Sequence, residues 1–155
     1  MLSPIELARV ARLQPALRAA VPSLVADVEQ ATGKHVAVTS GVRSTAEQQA
    51  LWNARATSPY PVAAPGTSYH EYGAAVDLAI QGGTDSDYAR QAEIAEQTYN
   101  FVSGWPDDNV HIRLNESLDQ AKADWAQVSS VRQTTIGIGV VVLGIVLLLS
   151  FTSGD

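Results

Sequence analysis

The chain has 155 residues, a formal net charge of −6, 46% hydrophobic residues and no cysteine. This length accommodates one compact domain and a tail, and the negative charge excludes a broad electrostatic grip on nucleic acid or anionic lipid. The absence of cysteine excludes disulfides and cysteine-bound zinc, so any metal must be held by His, Asp or Glu.

Two helices are predicted at the N-terminus. Ser3, Pro4 and Glu6 supply a cap, a first-turn proline and an early acid, which together indicate a helix start. A second helical run is expected from about Pro22, and Gly33 ends it. Arginines interrupt the apolar residues of this segment, so it is not typical of a secretory signal peptide.

A strand, a helix and a loop are predicted next. Residues 35–41, HVAVTSG, read as a short buried strand. Residues 44–56, STAEQQALWNARA, are predicted to form a helix that begins with a capping box of Ser44 and Glu47. Residues 57–68 contain three prolines and a glycine, which is typical of a surface loop.

The following segment alternates again between strand and helix. A strand is predicted over 74–80, a helix over 87–102, a turn over 105–109 and a short strand over 110–114. This alternation indicates an α+β fold. We therefore expect one domain over residues 1–114.

The character of the chain changes after this domain. Residues 115–133 have apolar side chains at helical spacing and predict an amphipathic helical linker. Residues 134–152 contain an uncharged apolar stretch, 136–151, that would extend about 24 Å as a helix. We interpret 134–152 as a single transmembrane helix that anchors the chain in a membrane. The alternative is a buried core helix.

One short motif contains two side chains that could be ligands of a metal site. His70 and Asp77 flank Gly73, whose turn would bring both side chains to one point. Catalytic zinc takes three protein ligands and leaves one position for water. His111, in a similar transition from polar turn to strand, is a plausible third ligand on chemistry alone. The alternative is that these are ordinary capping or surface residues.

Three segments together resemble a known enzyme family. They are SGVRSTAEQQALW, SYHEYGAAVD and DDNVH, which cover about residues 36–114 in the family's order. They are similar to the zinc peptidases of the D-alanyl-D-alanine carboxypeptidase and L-alanyl-D-glutamate peptidase family. Its signature S-x-H-x-x-G-x-A-x-D is filled by Ser68, His70, Gly73, Ala75 and Asp77. The resemblance implies the hedgehog/DD-peptidase fold, a small antiparallel sheet with flanking helices.

The resemblance also implies roles for individual residues. His70, Asp77 and His111 would bind Zn²⁺, and Asp108, three residues before His111, would be the general base. Arg43 would polarise the scissile carbonyl. Alternatively, Asp108 only caps a turn and Arg43 only pairs with a carboxylate. Candidate substrate-binding residues are Ser40, Gln49, Ser68 and Tyr69.

The same motif bears on the substrate. An aspartate at position 108 is similar to the L-alanyl-D-glutamate endopeptidases of phage lysins, whereas many carboxypeptidases of the family have glutamate. The expected substrate is therefore the L-Ala–D-Glu bond of peptidoglycan stem peptides, with D,D-carboxypeptidase activity on D-Ala-D-Ala ends as the alternative. Val110 and Ile112 flank His111 where the family usually has an aromatic residue, and only thirty residues separate Asp77 from Asp108. Substrate preference is thus less defined than metal binding. His35 matches no motif position and is expected at the surface.

A domain that would cleave the bacterial cell wall, joined to a membrane anchor, suggests a phage lytic enzyme or a virion entry enzyme. It would lie in a virion membrane or a bacterial inner membrane, with partner proteins in that complex, and act on the cell wall. Arg132 before the span favours an enzyme domain on the cytoplasmic side of a bacterial membrane. The cell wall lies on the other side, so the domain would reach it only if the membrane belongs to a virion or if lysis exposes the domain. Two other classes stay open: a viral membrane structural protein with a peptidase-like binding domain, and a zinc-stabilised interaction module.

Overall fold

The computed structural model describes residues 1–104 and 106–131. These residues contain five helices and four strands with two short 3₁₀ turns, Arg55–Thr57 and Tyr69–Tyr72. The elements are α1 Pro4–Ala11, α2 Pro15–Thr32, β1 Val36–Ser40, α3 Thr45–Asn53, β2 Ala75–Ile80, α4 Asp85–Tyr99, β3 Phe101–Gly104 and β4 Asp108–Leu114. Residues 118–131 form a further helix, α5.

The four strands form one antiparallel sheet in the order β1-β2-β4-β3. Helices α2 and α4 pack against each other, and both contact the sheet. The core between them is built from aliphatic side chains that are almost fully buried, among them Leu17, Leu24, Val38, Leu78 and Ile112. The predicted α+β class with a small antiparallel sheet is therefore confirmed.

Helix α1 covers the outer edge of β1. Glu6 accepts a hydrogen bond from the backbone N–H of Val38 at 2.9 Å, and Arg9 donates to the carbonyl of the same residue at 2.7 Å. Hydrogen bonds from Ser3 hold the pKa of Glu6 below its usual range. The two side chains satisfy backbone groups that an exposed edge strand would offer to another chain.

Two predicted helix boundaries are wrong. Helix α2 begins at Pro15 rather than near Pro22, which lies inside it, because Leu17 and Val21 are fully buried on its core face. Burial of these side chains outweighs the hydrogen bond that a proline removes. The predicted helix 87–102 ends earlier, at Tyr99.

The early end of α4 creates a strand that the sequence did not predict. Asn100 adopts the left-handed conformation with φ 54° and turns the chain away from the helix axis. The next residues form β3, in which Phe101 pairs with Leu114 of β4. Asparagine tolerates this conformation better than most residues, so it can end a helix as glycine does.

The segment expected to be an amphipathic linker is helical and packs on the domain. Ala121 of α5 is fully buried, and the Nε2 of Gln14 donates to its carbonyl at 3.1 Å. The predicted transmembrane helix, residues 134–152, lies outside the described residues. Within 1–104 and 106–131, no helix has the length and apolar character needed to cross a membrane.

One prediction concerns acid stability. Asp87 accepts hydrogen bonds from Lys34 at 2.6 Å and from Thr84, which lower its pKa to about 2. The pKa of an aspartate in the unfolded chain is about 3.9, so the stability that ionised Asp87 contributes is fully present above that pH. It is lost as the pH falls from about 4 to about 2. In urea titrations, the difference in unfolding free energy between wild type and Asp87→Asn should shrink over this interval. A constant difference would contradict this.

Candidate metal centre

The three predicted metal ligands come from two neighbouring strands and the turn before one of them. His70 lies in the 3₁₀ turn Tyr69–Tyr72, which Gly73 ends at φ 63°. The chain then enters β2, where Asp77 pairs directly with His111 of β4. Cross-strand partners have side chains on the same face. The glycine turn returns His70 to that face.

Gly73 is also required for packing. A Cβ atom built at this position would lie 2.6 Å from a ring carbon of Trp125 on α5, and its φ disfavours other residues. We expect Gly73→Ala to lower the free energy of unfolding by about 1–3 kcal/mol, from strain and from displacement of the indole. Chemical denaturation measures this. Gly82→Ala is the matched control because it has a similar φ and open space around it. Equal losses in both variants would exclude the contact with Trp125 as a cause.

The three ligand atoms converge. His70 Nε2 lies 3.1 Å from Asp77 Oδ1 and 3.2 Å from His111 Nδ1, and the latter two atoms are 3.2 Å apart. A tetrahedral zinc ion with bonds of about 2.0–2.1 Å has ligand atoms about 3.3–3.4 Å from one another. The triangle of donor atoms therefore fits three corners of a zinc tetrahedron.

The hydrogen bond on the far side of His70 sets its tautomer. Its Nδ1 lies 2.8 Å from the carbonyl oxygen of Gly41, and since a carbonyl only accepts, Nδ1 carries the proton. In the neutral ring, Nε2 then directs a lone pair toward the carboxylate of Asp77. A cation between these atoms satisfies both, which is the arrangement usual for histidine ligands.

Asp77 is held in its ionised form. Burial alone would raise its pKa, but the imidazoles of His111 and His70 beside it outweigh this and hold the pKa well below its usual range. The guanidinium of Arg43 lies 3.5 Å from its second oxygen, Oδ2. Asp77 thus supplies the negative charge that a divalent cation requires.

Asp108 faces the same cavity from the start of β4. Burial raises its pKa, the charge of Asp77 acts in the same direction, and His111 opposes them. Its Oδ1 is buried and has no hydrogen-bond partner among the described residues. A carboxylate with a raised pKa and a free oxygen beside a metal centre is suited to accept a proton.

The three predicted ligands and Asp108 line a cavity of about 550 Å³. Arg43, Ser68 and Tyr69 also line it, and its outer wall is the loop 58–63. Of the other predicted substrate-binding residues, Ser40 does not line the cavity and accepts a hydrogen bond from Arg43 at 3.2 Å. Gln49 does not line the cavity, and its Nε2 donates to Asn53 along α3.

The neighbouring residue, Gln48, is the one that sequence reasoning missed. It is fully buried, lines the cavity, accepts a hydrogen bond from Arg43 at 2.8 Å and donates to the carbonyl of Ala63 at 2.6 Å. It therefore joins the arginine to the loop that forms the cavity wall. His35 is half-exposed and pairs with Glu29, which confirms that it lies at the surface.

Comparison with known proteins agrees with this geometry. A sequence profile described as VanY, D-alanyl-D-alanine carboxypeptidase, matches residues 10–117. The chain belongs to the VanY family. The match confirms the resemblance inferred from the motifs, and with it the class of enzyme, a metallopeptidase. No curated protein sequence matches the chain significantly.

Two solved structures of L,D-carboxypeptidases share the fold. The L,D-carboxypeptidase LdcB has 22% identity and a TM-score of 0.52, over 72% of this chain and 71% of that one. DacB from Streptococcus pneumoniae, also an L,D-carboxypeptidase, has 22% identity and a TM-score of 0.51, over 74% and 72%. A vancomycin-resistance D,D-pentapeptidase, VanY in complex with Zn(II), has 22% identity and a TM-score of 0.49, over 74% and 78%.

Proposed function

We propose that this VanY-family protein is a zinc-dependent peptidase that cuts the stem peptides of peptidoglycan. The observation that carries the proposal is the convergence of His70, Asp77 and His111 with Asp108 in one cavity. The donor set of two imidazoles and one carboxylate suits zinc and leaves a position open. An interaction module stabilised by zinc would not need a carboxylate with a raised pKa beside that position.

The residues of the cavity have separate tasks in this proposal. Zinc bound by the three ligands would supply Lewis-acid activation of water and of the scissile carbonyl. Asp108 takes a proton from the attacking water and passes it to the leaving amine. Arg43, fixed by Gln48 and Ser40, places a positive charge where the oxyanion of the tetrahedral intermediate develops.

The bond cut is proposed to be L-Ala–D-Glu. This rests on Asp108, since the resemblance associates aspartate at this position with endopeptidases and glutamate with many carboxypeptidases. The second candidate is removal of a terminal D-Ala from D-Ala-D-Ala ends, which is favoured by the description of the matching family profile. Both reactions need the same metal centre and differ in the product.

Product analysis separates the two activities. The full chain, in detergent and loaded with zinc, is incubated with purified peptidoglycan, and the new termini are identified by mass spectrometry. New N-terminal D-Glu supports the endopeptidase, and free D-Ala supports the carboxypeptidase. Asp108→Ala, treated identically, controls for contaminating hydrolases. Zinc binding without either product would refute the peptidase proposal and favour a binding role.

We further propose that residues 134–152 anchor the enzyme in a membrane and that it serves a phage, in virion entry or host lysis. The proposal is supported by the uncharged apolar stretch of these residues. Partner proteins would then lie in the same virion or membrane complex. Flotation of the full chain with liposomes tests the anchor. Recovery of the protein only in the lipid-free fraction would refute it.

A further inference from the structure

Gln91 connects two strands through a single side-chain amide. It lies on α4 and is fully buried. Its Nε2 donates to the carbonyl of Leu78 in β2 and to the carbonyl of Asn109 in β4, each at 3.2 Å. Both protons of the amide nitrogen are therefore used, one on each strand.

The position of this bridge relates it to the site. The ladder between β2 and β4 runs from Ala75–Arg113 to the ligand pair Asp77–His111. Beyond that pair, Gln91 connects the two strands. Leu78 directly follows the metal ligand Asp77, and Asn109 directly follows Asp108. The bridge thus ties the backbone beside a ligand to the backbone beside the proposed base.

The backbone at Asp108 depends on such support. The pairing of β3 with β4 shifts register between Ser103 and Gly104, so the ladder is irregular where Asp108 begins β4. A Cβ atom at Gly104 would lie 2.5 Å from the carbonyl oxygen of Asp108, which shows how closely the two strands approach. The Oδ1 of Asp108 has no hydrogen-bond partner among the described residues. The carboxylate is hydrogen-bonded by the backbone N–H of Val110, so the backbone of β4 sets its direction.

We infer that Gln91 is a positioning residue for Asp108: by holding the carbonyl of Asn109 at a defined distance from β2, it sets where the Asp108 carboxylate lies relative to the metal ligands. The inference rests on the proposed function, since it assigns the role of the base to Asp108. The Oε1 of Gln91 is buried without a partner among the described residues. Burying it costs free energy, so apolar packing alone does not account for an amide here.

The test compares two buried glutamines. Gln91→Met keeps the length of the side chain and removes both donors. Gln14→Met is the matched control, because Gln14 is also buried and its Nε2 also donates to two carbonyls, of Tyr72 and Ala121, neither of which lies in β2 or β4. Since Tyr72 belongs to the turn that carries His70, the bound zinc of this variant is compared with wild type first. Each variant is measured for kcat, KM, bound zinc and thermal stability in the full chain. Amide hydrogen exchange of residues 107–110 is measured in parallel.

We expect Gln91→Met to retain zinc and KM while kcat falls about 10- to 100-fold, the effect of displacing a reacting group by roughly 1 Å. Exchange at 107–110 should accelerate in this variant and not in Gln14→Met. In an Asp108→Ala background, Gln91→Met should cause no further loss of kcat, whereas a general loss of stability would lower kcat in both backgrounds.

Three results would overturn the inference. The first is equal kcat in the two glutamine variants, and the second is unchanged exchange at 107–110 in Gln91→Met. The third is faster exchange with an unchanged kcat, which would show anchoring without a catalytic consequence. If Gln91→Met does not fold, Gln91→Asn, which shortens the side chain by one methylene, must lower kcat instead. A wild-type chain that binds zinc but cleaves nothing refutes the proposed function, while the exchange data still test the anchoring.

Discussion

Replacing Asp77 by asparagine is expected to remove both metal binding and activity. Asparagine has the same shape as aspartate but no charge. Within residues 1–104 and 106–131, one group of three side chains can hold a metal, and Asp77 is its only carboxylate. Loss of an outer-shell partner already costs about 10- to 100-fold in metal affinity, so loss of a ligand should cost more than about 100-fold. Zinc content after dialysis, measured by mass spectrometry of the metal, reports this directly.

The matched control is Asp107→Asn. Asp107 is an exposed carboxylate that lines the same cavity and does not belong to the group of ligands. The control makes the same change of charge in the same cavity, so it should retain about one zinc per chain. Equal zinc content in wild type and Asp77→Asn would show that Asp77 is not a ligand. Equal loss in both variants would show that only the total charge of the cavity matters.

Replacing Asp108 by alanine is expected to leave zinc in place and lower kcat by about 10²- to 10⁴-fold, the usual contribution of a general acid–base group. The reason is that the carboxylate accepts the proton of the attacking water, a task that requires its ionised form. Since burial raises the pKa of Asp108, the rate should begin to fall at a higher pH than it would with an ordinary aspartate as the base. Peptidoglycan digestion followed by mass spectrometry measures the rate.

Asp108→Glu distinguishes the requirement for a carboxylate from the requirement for its position. It should retain more activity than Asp108→Ala, because the proton acceptor is present although displaced by one methylene. Activity of Asp108→Ala within about threefold of wild type would contradict the role of a base, which is worth at least about 100-fold. The function would then lie in binding rather than in cleavage.

Two of the three metal ligands could be predicted from sequence because their geometry is local, and the third, His111, from its place in the family motif. His70 and Asp77 are joined by one glycine turn and one strand, and the structure brings them together with His111 as expected. The capping box of Ser44 and Glu47 was equally visible, and α3 begins there. In both cases a few neighbouring residues determine the backbone, so distant contacts have little to add.

The residues around the ligands were harder to predict because their roles depend on distant contacts. On α3 the buried residue is the polar Gln48, whereas Leu51 is 42% exposed at the cavity, so hydrophobic periodicity gives the wrong face. Gln91 lies on a helix whose pattern indicates only a core-facing position, and its two acceptors are separated from it by 13 and 18 residues.

The boundaries of α2 and α4 failed for a related reason. A proline favours a helix start, but Pro15 and Pro22 both fit that pattern, and only the packing of Leu17 and Val21 decides between them. Asn100 is a weak signal for a helix end, and it becomes decisive because β3 pairs with β4 directly after it. Tertiary contacts overrode local preference at each of these points.

The most direct test of the metal centre is anomalous diffraction at the zinc edge from crystals of the full chain. The structure predicts one zinc peak about 2.0–2.2 Å from His70 Nε2, His111 Nδ1 and an oxygen of Asp77, with a position open toward the cavity that holds Asp108. A zinc ion bound by other residues, or no zinc at these atoms in crystals grown with the metal, would contradict it.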